Sequence, residues 1–226
     1  MRSPTAPSRT RRWWRLTVCA TESAAGVGAL HREELALVEG ASPGRVAQFA
    51  TGRSCAHGAL GALLGPADAG LPVLADGRGA PVWPGGVVGS ITHCTGWTGA
   101  VAARGRVGVL GRGVAGVGID AEPVGPLPAG VLDVVASASE RARVDALRGL
   151  DPGVPWETVL YSVKESAFKA AYPLLGRVLG HDDVAVELSG DGRFTAISGV
   201  GSAASVAVRG RWVVGPTVVV TLGVVP

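Results

Sequence analysis

The stretch "GVGIDAEPV", residues 116–124, decides how this chain is read, because it is a strand carrying two acids. Side chains alternate across a strand, so Val117, Ile119 and Ala121 share one face while Asp120 and Glu122 share the other. Like charges that close repel, and they repel harder where water is scarce. Only 17% of the 226 residues are charged, so this pair does not belong to a generally polar surface. A positive group is expected between the two acids.

Downstream, the proline-rich connection "PVGPLPAGVLD" leads to Ser137-Ala-Ser-Glu140, a capping box that opens a short helix. The longest helix is predicted in "VPWETVLYSVKESAFKAAYP", with Pro155 before it and Pro173 closing it. Trp156, Leu160, Val163 and Ala167 form its buried stripe, and Glu165 and Lys169 lie four apart on another face. From Val184 onward, "VAVEL", "RFTAIS", "SVAVRGRWVV" and "TVVVTLGV" are strands broken by glycine turns. They predict an antiparallel sheet packed on the long helix.

Upstream, "SPGRVAQFATGRSCAHGALGALLG" predicts a helix with Ser42 as its cap, Pro43 in its first position and Gly65 past its end. Its apolar stripe is Val46, Phe49, Ala56, Leu60 and Leu63, and Arg53 fills one slot of it. An arginine there pairs with a buried acid, lines a cleft or snorkels at the stripe's edge. Arg45 stands two turns earlier, ~12 Å along the axis. "VVGSITH" and "TGAVAA" read as strands around a turn, with His93 at the end of the first. Arg78 sits in the stiff Gly/Pro/Trp loop before them. The class is α+β.

Composition sets the outer bounds. Hydrophobic residues make up 47%, enough for one large domain or two smaller ones that share an interface. The net charge of +3 and pI near 9.1 suit anionic small molecules or acidic partner proteins, and are too mild to argue for nucleic acid. Three scattered cysteines predict reduced thiols rather than a disulfide framework or structural zinc. Residues 1–12 read as a mobile basic tail, because the apolar run after them is too short for a signal peptide. No stretch reaches ~18 uninterrupted apolar residues, so no membrane span is expected and the chain is read as cytoplasmic.

The charged residues that no solvated face explains form one set. Asp120, Glu122 and Glu165 converging would make an oxygen-ligand site for Mg²⁺, which takes carboxylates, waters and substrate phosphates. The ion would neutralise the Asp120/Glu122 repulsion. Arg45, Arg53, Arg78 and His93, drawn from the first half, would supply an anion-binding wall opposite. Taken alone, D-x-E is more often a strand acid paired to a neighbouring base, and K-E-S-A-F-K an exposed helical ion pair.

"GVGIDAEPV" followed by "WETVLYSVKESAFKAAYP" resembles the paired signature of the Sfp-type 4′-phosphopantetheinyl transferases, G-x-D-x-E then W-x-x-K-E-[SA]-x-x-K. The likeness extends to "RVAQFATGRSCA", "GRGAPVWP" and "GSITHC", and it departs in placing Trp156 eight residues before Lys164. It implies two similar α/β subdomains in a pseudo-twofold arrangement, residues 13–113 and 114–226, with a ligand cleft between them. It also implies transfer of the 4′-phosphopantetheine arm of coenzyme A to a serine of an apo acyl or peptidyl carrier protein, as in holo-[acyl-carrier-protein] synthases, with release of adenosine 3′,5′-bisphosphate. Carried over by position, Asp120, Glu122 and Glu165 hold Mg²⁺, with Mn²⁺ able to replace it. Glu165, directly or through a water on the metal, is the base, and Lys169 neutralises the diphosphate or protonates the leaving group. His93 and Lys164 bind phosphate oxygens, while Arg45, Arg53 and Arg78 hold the 3′-phosphate and adenosine end. Val131, Leu132, Val134 and Val135 would meet the carrier or pack in the core. A monomer is expected. The alternatives are a Mg²⁺-dependent nuclease or phosphohydrolase, and a module that binds coenzyme A or a carrier without turnover.

Overall fold

A computed structural model describes residues 16–106 and 113–226, so the basic tail expected at residues 1–12 lies outside the described residues. The first half contains β1 (Leu16–Thr21), α1 (Arg32–Leu35), α2 (Pro43–Leu64), β2 (Leu74–Ala75), β3 (Pro81–Val82), β4 (Val87–Cys94) and β5 (Trp97–Arg104). The second contains β6 (Gly116–Pro123), α3 (Val131–Val135), α4 (Ala138–Leu150), α5 (Trp156–Leu175), β7 (Val184–Leu188), β8 (Arg193–Ser198), β9 (Val206–Val214) and β10 (Val218–Val225). Among the described residues three antiparallel sheets result: β1-β5-β4 and β6-β10-β9-β8-β7, each covered by one long helix, and the two-stranded β2-β3. The architecture is α+β. Among the described residues, no helix is long and apolar enough to cross a membrane.

Local signals explain the helix ends. The Ser42 hydroxyl accepts the Arg45 N–H at 3.4 Å, Pro43 needs no partner for its nitrogen, and Gly65 stops α2 at φ 123°. Ser137 and Glu140 complete the capping box that opens α4. A second box, formed by His31 and Glu34, opens α1, which the sequence reading passed over. Pro173 does not close α5: the helix runs on to Leu175, and the Gly176 N–H closes onto Tyr172 O at 2.9 Å. A proline so near the end forfeits only one helical hydrogen bond, and Gly176 supplies the left-handed stop.

The buried face of α2 differs from the predicted stripe. Gly52, Cys55, Ala56, Ala59 and Leu60 are buried, whereas Val46, Phe49 and Leu63 are only partly so. Small residues let the helix lie close on β1 and β5. Arg53 is buried with them and donates to the carbonyls of Val73 at 2.6 Å and Leu74 at 3.2 Å, lies over the Phe49 ring and stands 4.0 Å from Glu34.

The two larger sheets meet edge to edge where β4 lies against β6. Val101 and Ala103 of the first half pack there on Val117, Ile119 and Val224 of the second. The apolar face of β6 therefore seals the two halves together, and its other face turns toward α5. Gly116 and Gly118 lie on that second face. A Cβ at Gly118 would stand 2.0 Å from Ser166 O and 2.6 Å from Ala170 N, so only glycine lets strand and helix touch backbone to backbone. Gly118→Ala must push α5 off the sheet. We expect it to destabilise the fold by about 1–3 kcal/mol, the usual range for overpacking, read as a lower melting temperature.

Of the apolar residues between β6 and α4, Val135 is buried, Val131 and Leu132 pack on the core, and Val134 is 72% exposed. Core packing absorbs three of the four.

Candidate active site

Asp120 is 4% exposed, and every partner it has comes from across the fold. Lys169 of α5 reaches its Oδ1 at 2.7 Å, the Thr92 hydroxyl of β4 donates to the same oxygen at 3.3 Å, and the Ser162 hydroxyl donates to Oδ2 at 2.8 Å. Lys169 Nζ also touches Thr92 Oγ1 at 3.4 Å and Ile119 O at 3.3 Å. The positive group beside Asp120 is thus Lys169. This charge-assisted pair joins the strand to the helix and both to the first half. Thr92 and Ser162 escaped the sequence reading, because lone hydroxyls on a strand and a helix carry no local signal.

Glu122 and Glu165 have no hydrogen-bond or ion-pair partner among the described residues. Burial, then the charge of Asp120, raises the Glu122 carboxyl to about 7, with Glu165 adding to the rise and Lys169 opposing it. Burial, then Asp120, likewise raises Glu165, against the pull of Lys169 and His181. The three acids feel one another. They are not drawn into a cage: among the described residues, no group of three His, Cys, Asp or Glu side chains is arranged to hold a metal ion. The donors still fit Mg²⁺ in kind, being hard oxygens, two of them unpartnered and crowded by like charge. Such an ion needs only one or two carboxylates when substrate phosphates complete its shell.

The residues expected to bind anions divide into two groups. Arg45 donates to Gln48 Oε1 at 2.7 Å, and Gln48 Nε2 donates to His93 Nδ1 at 3.1 Å, leaving the other ring nitrogen to carry the proton. Burial, then the charges of Lys169 and Arg45, lowers the His93 pKa below its ordinary value. Arg78 is exposed and donates to Gly176 O at 3.0 Å. Arg78 thus reaches the second half, while Arg45 and His93 are chained together within the first through Gln48.

Lys164 and Arg53 form the second group. Lys164 is 2% exposed, pairs with Glu140 Oε2 at 2.9 Å and donates to His181 O and Val184 O at 3.0 and 2.8 Å. Glu140 in turn accepts the N–H groups of Ser137 and Val186. All three ammonium hydrogens are taken, so Lys164 welds α4, α5 and β7 and has nothing left for a phosphate. Arg53 is spent on backbone carbonyls and on Glu34.

Between the halves lies a cleft of about 590 Å³, walled by Arg78, Pro81, Trp83 and Ile91 on one side and by Phe168 and Lys169 on the other. It is mostly apolar, with Lys169 leading to the acids.

Residues 33–103 match the family profile described as the 4′-phosphopantetheinyl transferase N-terminal domain, and residues 116–215 match that of the 4′-phosphopantetheinyl transferase superfamily. The chain belongs to this superfamily. It is 46% identical over 201 residues to the 4′-phosphopantetheinyl transferase Svp of Streptomyces mobaraensis, covering 86% of this chain and 78% of that one. It is 39% identical over 199 residues to PptT of Mycobacterium tuberculosis, covering 84% and 83%, and 38% identical over 156 residues to Npt of Nocardia iowensis, covering 68% and 64%. The first matched segment ends inside β5 and the second begins at β6. In this phosphopantetheinyl transferase, both segments wall the cleft.

The raised carboxyl of Glu122 has a consequence for stability. Its folded pKa of about 7 lies above the ordinary 4.5, so the folded transferase keeps a proton that the unfolded chain has already lost. Stability contributed by this group falls as pH rises from 4.5 to 7 and levels off above that. Without divalent ions, we expect the melting temperature to drop by roughly 2–4 °C more in the parent than in Glu122→Gln across this window, as about 1 kcal/mol does in a chain of this size. Thermal melts at stepped pH check it, and parallel curves would refute it.

Proposed function

We propose that this chain transfers the 4′-phosphopantetheine arm of coenzyme A to a serine hydroxyl of apo acyl or peptidyl carrier proteins, as a transferase of the Sfp, holo-[acyl-carrier-protein] synthase kind. The observation that carries the reading is the Lys169–Asp120 pair, flanked by the unpartnered Glu122 and Glu165, at the end of an apolar cleft. The cleft suits an uncharged arm, and its polar end suits a diphosphate.

Asp120, Glu122 and Glu165 would hold Mg²⁺ or Mn²⁺, which supplies positive charge to the diphosphate oxygens. Glu165, whose pKa is raised toward the working pH, takes the proton of the carrier serine. The serine oxygen bonds to the phosphorus that carries the pantetheine, and the bond from that phosphorus to the nucleotide phosphate breaks. The electron pair leaves with adenosine 3′,5′-bisphosphate, whose charge Lys169 offsets. Arg45, Arg78 and His93 bind the remaining phosphate oxygens, His93 gaining a proton as they arrive. Lys164 and Arg53 leave the binding set and support it from behind.

The test is incubation with coenzyme A, Mg²⁺ and a panel of apo carriers, followed by intact-mass measurement. Gain of one phosphopantetheine arm on the carrier, lost when its serine is replaced by alanine, is expected. No labelling of any carrier, with divalent-dependent cleavage of DNA instead, would reverse the reading in favour of a nuclease.

A further inference from the structure

The β2–β3 hairpin belongs to the first half, yet its tip is tied to the end of α5 in the second. One carboxylate does two jobs there. Asp76 Oδ1 accepts the Arg78 and Ala80 N–H groups at 2.9 and 2.8 Å, which shapes the turn. Its Oδ2 accepts the Tyr172 hydroxyl at 3.1 Å, which anchors that turn across the junction. Arg78, at the tip, adds the bond to Gly176 O, where the carbonyl end of α5 favours a cation. Arg53 grips the root of the hairpin from behind through Val73 O and Leu74 O. Phe168 sets the Tyr172 ring edge-on at 5.8 Å, so the hydroxyl is aimed before Asp76 meets it.

Gly77, Arg78 and Gly79 are otherwise exposed. The side of the cleft formed by Asp76, Arg78 and Pro81 therefore owes its distance from α5 to these two ties. Resting on the transferase reading above, we propose that the hairpin is a latch across the cleft. Tyr172 and Asp76 act as positioning residues that hold Arg78 where it meets a phosphate of coenzyme A. Neither touches the reacting atoms. Releasing the latch lowers the fraction of molecules ready to bind, which weakens apparent affinity in proportion and leaves the bound complex to react as before.

The experiment compares the full-length parent with Tyr172→Phe, which removes one oxygen, and with Asp76→Asn and the double variant. Rates of carrier labelling are measured against coenzyme A concentration, and coenzyme A affinity is measured by calorimetry without carrier. Tyr172→Phe should raise KM for coenzyme A and weaken its binding about five- to tenfold, with kcat within twofold, as the loss of one ordinary, solvent-screened hydrogen bond implies. Asp76→Asn should do the same, and the double variant should be no worse than the worse single one, because both break one tie. Unchanged KM in both single variants, a fall in kcat alone, or strictly additive effects would overturn the latch. Failure of the parent to bind coenzyme A or label any carrier would overturn the transferase reading instead.

Discussion

Asp120→Asn should lower carrier labelling by about a thousandfold, the scale on which removal of one preorganised charge-stabilising group is felt. Three effects act together. The variant loses the anionic donor proposed for the divalent ion, it releases Lys169 from its 2.7 Å partner, and it leaves Thr92 and Ser162 facing an amide. The fold is also touched. Because Asp120 is buried and paired, its removal is not the harmless deletion of one repelling acid, and a loss of about 1–3 kcal/mol accompanies it. Glu165→Gln separates the two effects, since Glu165 has no such partner and its loss should lower the rate at nearly parental stability. Initial labelling rates below each variant's melting temperature check both. A rate for Asp120→Asn within tenfold of the parent would remove the acid from the mechanism.

Lys164→Met should lower the melting temperature by roughly 10 °C, the equivalent of about 3–5 kcal/mol in a chain of this size. Breaking a buried pair from one side strands the other charge, and Glu140 is only 5% exposed. Glu140→Gln in the same chain should recover part of the loss, because the amide still accepts from Ser137 and Val186 without a charge to bury. At 15 °C, where the variant stays folded, KM for coenzyme A should match the parent. A raised KM with an unchanged melting temperature would restore Lys164 to the phosphate-binding set.

The two lysines of α5 mark where reading from sequence stops. Lys164 and Lys169 both stand near Glu165, and nothing local separates them. Their fates are set by residues far away: Glu140 and the carbonyls of the β7 approach for one, Thr92 and Asp120 for the other. Arg53 poses the same problem, for its place in an apolar stripe fits a buried partner and a ligand cleft alike, and the deciding carbonyls lie 20 and 21 residues on. What depends on near neighbours was legible. The alternation that puts Asp120 and Glu122 on one face follows from strand geometry, and the limits of α2 follow from Ser42, Pro43 and Gly65. Pro173 misled because a general rule about proline met a helix already within three residues of its end. The tie between Asp76 and Tyr172 spans 96 positions, and no periodicity can reveal it.

Since β6 and α5 meet through Gly116 and Gly118 with no side chain between them, the spacing of the two main chains that carry acid and base is a property of backbone contact. Rotamer changes nearby cannot alter it by degrees, and repacking the surrounding core leaves it where it was. Such a centre behaves like a hinge pin of fixed diameter: it keeps its dimension until strand and helix part, and then loses it altogether.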